Sequence, residues 1–270
     1  MGILNITPDS FYDGAELAIS ERSRFRCDRD KLLFRAEKMV SDGAKILDVG
    51  GESTRPGSKA VSVDEELDRT ISVLEILRAE FDVLLSIDTS KPAVMSAALA
   101  AGAGLVNDVR ALARQGATKV VAEAQTQPAV CLMHMQGQPE FMQKTCSYRS
   151  VVEEVFNFLE QRIAVSVQAG IERSRILVDP GFGFGKSVGH NYELLRRLAE
   201  FHRLNVPVLV GVSRKSMIGA VTGRPLERRL SGSIAATSLA LQAGAQIIRT
   251  HDVADTVDAI KVYEACRGAG

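Results

Sequence analysis

The sequence predicts an α/β fold with a closed (β/α)8 barrel in a single domain. Short apolar runs alternate with stretches of helical periodicity eight times, and this order is typical of a parallel sheet whose strands are joined by helices. No composition break and no long linker divides the 270 residues. Eight strand–helix units in about 250 residues fit a closed barrel better than an open, doubly wound sheet.

Composition sets the broad class of the protein. Apolar residues make up 46% and charged residues 24% of the chain, with 33 basic and 33 acidic side chains. This balance allows a large core and argues against an overall field that attracts polyanions. The four cysteines are far apart and lack zinc-ligand spacing, and no stretch approaches the ~20 apolar residues of a membrane span. We therefore expect a cytoplasmic protein with reduced thiols.

The first half of the chain supplies four predicted strands. GILNIT, at residues 2–7, is a short buried strand that contains Asn5. Residues 15–30 show no convincing period and are expected to form a mobile loop. The other three strands are KILDVGG with Asp48, LLSIDTS ending on Asp88, and LVNDV with Asn107 and Asp108.

The helices of this half are predicted from their apolar faces and their end signals. KLLFRAEKMVSDG places its apolar residues on one face and stops at a glycine. Ser62, with Glu65 three residues later, forms a capping box for a helix that reaches about Ala79. Pro92 is expected in the first turn of the next helix, where a missing N–H costs little. A further helix is expected over residues 115–127.

The second half supplies four more strands, each with polar residues at or near its carboxyl end. They are AVCLMHM with Met133 and His134, ILVDPGFGFGKS with Asp179, PVLVGVSRKS with Ser213 to Ser216, and QIIRTH with Arg249 and His251. Helices are expected over residues 151–169, 191–203, 231–244 and 253–266. The first of these has the most regular apolar stripe.

Four polar side chains lie inside apolar strands and need partners. They are Asp48, Asp88, Asn107 and Asp179. Asp and Ser cap helices routinely, so Asp48, Asp88 or Ser213 taken alone is more often a cap or a turn former. An unpaired buried carboxylate is costly, however, and the carboxyl ends of all the strands meet at one end of a barrel. One polar ligand shared at that end would satisfy the set together.

The glycine-rich segment GFGFGKS, residues 181–187, resembles a phosphate-binding loop in part. A Walker loop would need glycine at position 180, which is Pro180. This mismatch argues against nucleotide hydrolysis. We expect instead that the glycines let the loop backbone approach a flat ligand.

Arg249 and His251 alternate along the last predicted strand, so both side chains can point into the barrel mouth. Either could form an ordinary ion pair, but barrel closure brings the pair beside Asn5 and then suggests an anion site. The Asn5 oxygen suits Mg²⁺, which binds through few protein groups together with substrate phosphates. His134 could be a general base, although a core histidine is the favoured interpretation.

Eight segments in order resemble the dihydropteroate synthases over essentially the whole chain. They are MGILNITPDSF, LDVGGESTRPG, SIDTSKP, NDVRAL, CLMHMQG, DPGFGFGK, VGVSRKS and RTHDV. This folate-pathway family has a TIM barrel and uses Mg²⁺. It joins p-aminobenzoate to 6-hydroxymethyl-7,8-dihydropterin diphosphate and releases diphosphate. The resemblance implies one pterin-binding domain over residues 1–270 and a homodimer. The sequence departs from the family in one respect, because members commonly carry an N-terminal extension before the GILN strand and this chain is expected to lack it.

The resemblance also implies roles for the candidate residues. The pterin site would comprise Asp48, Asp88, Asn107, Met133, Asp179, Phe184, Gly211 and Lys215. The diphosphate site would comprise Asn5, Arg249 and His251, with Asn5 as the Mg²⁺ ligand, and the p-aminobenzoate site Phe11, Thr54, Arg55, Pro56, Lys215 and Ser216. Catalysis would fall to Asp88, Asp179, Lys215, Arg249 and His251. The aminobenzoate carboxylate would lie near Ser216, where a short helix is expected to begin.

Two alternatives stay open at this point. A related pterin-binding methyltransferase domain would share the barrel and the carboxylates, but it needs no diphosphate site, so the Ser-Arg-Lys-Ser and Arg-Thr-His segments favour the synthase. A non-catalytic paralogue could keep the barrel as a binding module, although every matched position is intact. Arg214 is expected to form a structural ion pair rather than to bind a ligand.

Overall fold

Eight parallel strands form the centre of the structure. The computed structural model describes residues 1–7, 18–21, 24–53, 58, 60–137 and 146–268. The strands in these ranges are β1 Gly2–Asn5, β2 Ala18–Glu21, β3 Arg24–Cys27, β4 Ile46–Gly50, β5 Leu84–Asp88, β6 Leu105–Asp108, β7 Ala129–Met133, β8 Ile176–Asp179, β9 Leu209–Val210 and β10 Ile247–Ile248. β2 and β3 form a separate antiparallel pair, and the other eight form the central set. Six of them lie side by side in the order β1-β4-β5-β6-β7-β8, and β9 pairs with β10.

Backbone pairing closes these strands into a barrel. Val178 of β8 pairs with Val208 just before β9, and the Val178 N–H donates to the Pro207 carbonyl over 2.9 Å. At the other seam, Gly2 of β1 pairs with Thr250 just after β10. The order therefore runs from β1 through β4–β10 and back to β1, which confirms the predicted (β/α)8 barrel.

Side chains inside the barrel follow the two-residue period of its strands. An apolar cluster of Leu105, Cys131, Leu177 and Leu209 fills the interior near the amino ends of β6–β9. Two residues further along the chain, Asn107 follows Leu105 and Asp179 follows Leu177. The same inward face therefore changes from an apolar floor to a polar layer as the strands approach their carboxyl ends.

Helices cover the outside of the barrel. They are α1 Arg29–Ser41, α2 Val63–Glu80, α3 Pro92–Ala100, α4 Ala117–Glu123, α5 Val151–Gln168, α6 Val188–Arg196, α7 Ser216–Thr222, α8 Leu230–Gln242 and α9 Val253–Gly268. Their buried faces join outward-facing strand residues such as Leu47 and Ile87 in one apolar core. Pro92 is the first residue of α3, as predicted. The capping box predicted at Ser62 is present in part: the Ser62 side chain accepts from the Glu65 N–H over 3.1 Å, while the Glu65 side chain pairs with Arg69.

Two predictions about local structure were wrong. A mobile loop was expected over 15–30, but residues 18–21 and 24–27 pair as antiparallel strands and α1 begins at Arg29. Strands of four residues are too short for their period to be recognised in the sequence. The helix expected over 191–203 ends at Arg196 and continues as a 3₁₀ helix, Leu198–Leu204. Leu198, Phe201 and Leu204 are buried there at a spacing of three, which is one turn of a 3₁₀ helix.

The helices in the described ranges differ in length or polarity from a membrane-spanning helix. Each helix there is too short or too polar to cross a bilayer.

Candidate active site at the barrel mouth

Strand geometry brings four of the predicted site residues together inside the barrel. Asp48, Asp88 and Asn107 lie on the neighbouring strands β4, β5 and β6, where Asp88 is paired with Asn107 in register. Arg249 follows β10 and reaches the same layer across the barrel. Because the carboxyl ends of parallel strands share one end of a barrel, residues far apart in sequence meet there.

Arg249 bridges two of the carboxylates. Its Nε donates to Asp48 Oδ2 over 2.7 Å, and its Nη2 donates to Asp88 Oδ2 over 2.9 Å. Asp48 is fully buried and also accepts from Ser86 Oγ at 2.5 Å and from Asn107 Nδ2 at 3.1 Å. One guanidinium and two neutral donors therefore compensate the buried carboxylates, as burial of charge requires.

Burial raises the pKa of the Asp88 carboxyl to about 7. Attraction to Arg249 opposes this rise, while repulsion from Asp48 adds to it. Since the guanidinium is shared between both carboxylates, it does not compensate for the loss of water around Asp88. A carboxyl with this pKa can accept or release a proton near neutral pH.

The opposite side of the mouth, formed by β7, β8 and β9, contains Asp179 and Lys215. Asp179 Oδ1 accepts from the Gly181 N–H over 2.7 Å. Lys215 Nζ donates to the Phe182 carbonyl and lies 4.6 Å from the centroid of the Phe184 ring. This contact is a cation–π interaction, and it places a predicted ring-binding residue directly against a predicted hydrogen-bond donor.

Burial also shifts the pKa values on this side. It raises the pKa of Asp179, and Lys215 partly offsets the rise. Burial lowers the pKa of Lys215 to about 8, against the attraction of Asp179. Lys215 therefore remains mainly protonated at neutral pH and can donate to a ligand.

The residues expected near a diphosphate lie beside this layer. The His251 N–H donates to Ser213 Oγ over 3.2 Å, and Ser213 Oγ lies 3.0 Å from His251 Nδ1. If the hydroxyl donates to Nδ1, the ring carries its hydrogen on Nε2. Asn5 ends β1 next to Gly50, and a methyl group built on Gly50 would lie 3.8 Å from Asn5 Oδ1 and 3.5 Å from Asp88 Cβ.

Other predicted positions lie around the same mouth. Met133 ends β7 and is paired in register with Asp179. Gly211 follows β9, and a methyl group built there would lie 3.7 Å from Arg249 Cβ. Ser216 is exposed and begins α7, as predicted. Phe11, Thr54, Arg55 and Pro56 lie outside the described residues, so their predicted contacts with p-aminobenzoate stay predictions.

The structural ion pair predicted for Arg214 is confirmed. Arg214 Nε donates to Asp252 Oδ2 over 2.8 Å, and Nη2 donates to Oδ1 over 2.7 Å. Both side chains are largely buried. This bidentate pair fixes the segment between Ser213 and Ser216 against the start of α9.

The glycine-rich loop differs from its predicted role. Methyl groups built on Gly181 and Gly185 would lie 1.9 Å from the His134 carbonyl oxygen and 2.3 Å from that of Gln136. These glycines therefore approach the protein's own backbone, whereas a flat ligand was expected. Gly183 does face the mouth, with its built methyl group 3.2 Å from Lys215 Cδ.

Sequence reasoning missed a second group of charges beside β4 and β5. The buried Lys91 pairs with Glu52 Oε2 at 3.0 Å and with the buried Glu66. Glu52 also accepts from the Val61 N–H over 2.9 Å. This bond connects two positions that are nine residues apart in the chain. Nothing in the sequence around Lys91 signals its partners, which lie 25 and 39 positions earlier in the chain. Ser86 was also missed, although it lies two residues before Asp88 and so shares its inward face.

No group of three or more His, Cys, Asp or Glu side chains close enough to hold a metal ion occurs within the described ranges. The role of Asn5 as a Mg²⁺ ligand stays a prediction.

Fold and site together define an α/β-barrel enzyme that binds a polar ligand with both donors and acceptors at its strand ends. A family model described as pterin binding enzyme matches residues 1–251. The dihydropteroate synthase of Escherichia coli (strain K12) is 50% identical over 269 residues, which cover 100% of this chain and 92% of that protein. The chain belongs to the pterin-binding enzyme family, and within it to the dihydropteroate synthases.

Solved structures agree with this assignment. The dihydropteroate synthase of Yersinia pestis, in complex with a sulfonamide drug, has a TM-score of 0.93 and 48% identity, covering 100% of this chain and 94% of that one. The enzyme of Burkholderia cenocepacia, in complex with 7,8-dihydropteroate, has a TM-score of 0.86 and 46% identity, covering 100% and 91%.

Proposed function

We propose that this protein condenses 6-hydroxymethyl-7,8-dihydropterin diphosphate with p-aminobenzoate, giving 7,8-dihydropteroate and diphosphate. The observation that carries the proposal is the cluster of Asp88, Asn107, Asp179, Lys215 and Arg249 at one barrel mouth. It stands in a chain that matches dihydropteroate synthases over its full length. We also propose that the reaction takes place in the cytoplasm.

The pterin ring would bind between the two sides of the mouth. Its amino group and adjacent ring N–H form a two-donor edge, which a carboxylate accepts in bidentate fashion. Asp179 and Asp88 supply such carboxylates, and Asn107 and Lys215 supply donors for the ring carbonyl and nitrogen. Asp48 would contribute indirectly, because it accepts hydrogen bonds from Asn107 and Arg249 and so fixes their positions. Met133, Phe184 and Gly211 would line the faces of the ring.

The diphosphate would lie where Arg249, His251 and Asn5 converge. Arg249 uses Nε and Nη2 toward the carboxylates, and its remaining N–H groups can bond a diphosphate oxygen. His251 would donate through Nε2. Asn5 would hold Mg²⁺, which when bound supplies positive charge beside the diphosphate oxygens.

The p-aminobenzoate would bind on the outer side of Lys215. Its carboxylate would accept from the exposed Ser216 at the start of α7, and Thr54, Arg55, Pro56 and Phe11 would enclose its ring. Lys215 lies between the two substrate sites, because its ammonium touches the Phe182–Phe184 loop while its backbone precedes Ser216.

The reaction is a substitution at the pterin methylene carbon. The bond from this carbon to the diphosphate oxygen breaks, and the electron pair leaves with the diphosphate, where Arg249 and His251 stabilise the growing charge. The carboxylates of Asp88 and Asp179 stabilise positive charge that develops on the pterin. The arylamine nitrogen then forms the new carbon–nitrogen bond and loses a proton to solvent. Because an aniline nitrogen is already nucleophilic, the step requires no strong general base.

The test is release of diphosphate when both substrates are mixed with the protein and Mg²⁺. Release that depends on p-aminobenzoate supports the proposal, and 7,8-dihydropteroate should form in equal amount. A protein that binds the pterin but releases no diphosphate would support the non-catalytic alternative and overturn the synthase assignment.

We also propose a homodimer that forms through the outer faces of helices α7, α8 and α9. Val221 on α7, Leu239 on α8 and Val262 on α9 are each more than half exposed. Large apolar side chains repeated on three successive helices favour a buried contact between protein molecules. Sedimentation equilibrium tests this directly, and a monomer at all concentrations would contradict it.

A further inference from the structure

Lys186 is a buried lysine to which the reaction assigns no role. It is 2% exposed, and it directly follows the glycine-rich loop of residues 181–185. A buried ammonium is costly unless its donors are satisfied. Four acceptors surround its Nζ: the carbonyls of Gly181 at 2.9 Å, Phe184 at 3.1 Å and His134 at 3.3 Å, and His134 Nδ1 at 2.9 Å.

The bonds from Lys186 determine the shape of the loop. Gly181, Gly183 and Gly185 all have positive φ angles, of 72°, 83° and 61°, and the chain winds around the ammonium with the Gly181 and Phe184 carbonyls directed toward it. These left-handed residues alternate along the loop, whose own backbone contributes the bond from the Phe184 N–H to the Gly181 carbonyl over 3.2 Å. Lys186 adds further bonds to the loop, and Asn191 accepts from the Gly183 N–H over 2.6 Å and donates to the Lys186 carbonyl over 3.2 Å.

The outer side of the same loop contacts the proposed pterin site. The Gly181 N–H donates to Asp179, while the Gly181 carbonyl accepts from Lys186. The Phe182 carbonyl accepts from Lys215, and the Phe184 ring lies against the Lys215 ammonium. The carbonyls of Gly181 and Phe184 are bonded to Lys186, and Phe182 directly follows Gly181. All three contacts with the pterin site therefore come from residues at or next to a bond from Lys186.

His134 is bound into this arrangement as a neutral acceptor. Burial and the nearby Lys186 lower its pKa to about 3, and its ring packs edge-on against Phe158 at 4.9 Å between centroids. His134 is therefore unsuited to be a general base, which agrees with the core interpretation of its sequence. It links the end of β7, where Met133 lies, to the loop after β8.

Resting on the pterin site proposed above, we propose that Lys186 is a positioning residue: its enclosed ammonium fixes the loop of residues 181–185, and the loop holds Asp179 and Lys215 in their pterin-binding positions. Lys186 does not touch the substrate. Its effect is to keep the Gly181 N–H and the Phe182 carbonyl directed toward the mouth.

The test compares Lys186→Met with Lys119→Met. Methionine keeps most of the side-chain length without the ammonium, and Lys119 is an exposed lysine on α4, 3.8 Å from Glu123. Thermal unfolding establishes that each variant is folded, and calorimetry with 6-hydroxymethylpterin measures pterin affinity. We expect the dissociation constant of folded Lys186→Met to rise about tenfold, equivalent to about one hydrogen bond lost by the ligand. The KM for the pterin diphosphate should rise in parallel with less change in kcat, and Lys119→Met should match the parent protein.

His134→Leu is the second variant, used if Lys186→Met does not fold. It removes the imidazole acceptor but leaves the Gly181 and Phe184 carbonyls bonded to Lys186, so a smaller loss of pterin affinity in the same direction is expected. A folded Lys186→Met, or failing that a folded His134→Leu, with lowered thermal stability but unchanged pterin affinity would overturn the positioning role and leave the proposed function intact. A parent protein that neither binds 6-hydroxymethylpterin nor releases diphosphate would instead overturn the proposed function.

Discussion

The two sides of the barrel mouth compensate buried charge in different ways. On the side formed by β4, β5 and β10, side chains compensate one another, with Arg249 between Asp48 and Asp88. On the side formed by β7–β9, backbone carbonyls receive the hydrogen bonds of Lys186 and Lys215. The first arrangement depends on strand register and the second on loop conformation. We therefore expect charge substitutions to act most on the first side and changes of backbone conformation to act most on the second.

The largest effect is expected for Arg249→Met, which would disrupt the first side. Asp48 and Asp88 would lose their shared cation, and breaking a buried ion pair typically destabilises a protein by about 3–5 kcal/mol. The diphosphate would also lose a donor, so kcat/KM should fall at least about 100-fold. Urea unfolding and diphosphate release measure the two effects.

Arg197→Met is the matched control for that variant. Arg197 pairs with Glu193 and Glu200 at a more exposed position on the protein, where an ion pair is worth about 1 kcal/mol or less. Equal loss of stability in the two arginine variants would contradict the account of the first side.

The second prediction concerns backbone conformation on the other side. Gly181→Ala requires a left-handed alanine whose methyl group would meet the His134 carbonyl oxygen. We expect a loss of about 2–5 kcal/mol, combining backbone strain with overpacking. Gly170→Ala is the control, because Gly170 has a φ of 99° but no atom within 4 Å of the added methyl group. If Gly170→Ala were as harmful as Gly181→Ala in thermal unfolding, the close approach would not be the cause.

The third prediction concerns pH. Burial raises the pKa of Asp88 from 3.8 to about 7, so between these values the folded state holds a proton that the unfolded chain releases. Stability of the parent protein therefore falls as pH rises through this window. Asp88→Asn has no such proton, so its melting temperature relative to the parent should increase from about pH 4 to about pH 7 and then level off, while pterin binding is lost. A difference that stays constant with pH would contradict the raised pKa.

The smallest effect is expected for Gly211→Ala. The added methyl group would lie at ordinary van der Waals distance from Arg249, so the free energy of unfolding should change by less than about 1 kcal/mol. If Gly211 lines the pterin ring, the methyl group should still weaken 6-hydroxymethylpterin binding a few-fold in calorimetry. Unchanged affinity would remove Gly211 from the proposed site.

The first side of the mouth was largely predictable from the sequence. Charges inside apolar strands need partners, and the two-residue period places Asp48, Asp88 and Asn107 on inward faces. What the sequence could not show was the pairing itself. Arg249 was assigned to diphosphate by resemblance, and its contacts with both carboxylates emerge from the curvature of the closed barrel.

The second side was less accessible to sequence reasoning. The Walker comparison argued against a nucleotide loop but left Lys186 without a role. It lies within a loop that has left-handed glycines at positions 181, 183 and 185, and Gly181 and Gly185 approach the backbone of His134 and Gln136, about 50 positions earlier in the chain. Such long-range contacts leave no periodic signal in the sequence, unlike the strands.

A crystal structure with bound 6-hydroxymethylpterin tests the central claim most directly. We predict the pterin ring at the barrel mouth, with its two-donor edge on the carboxylates of Asp179 or Asp88, Asn107 and Lys215 donating to its acceptors, and Lys215 still against the Phe182–Phe184 loop. A pterin bound elsewhere, or a mouth that stays empty at saturating ligand, would contradict the account.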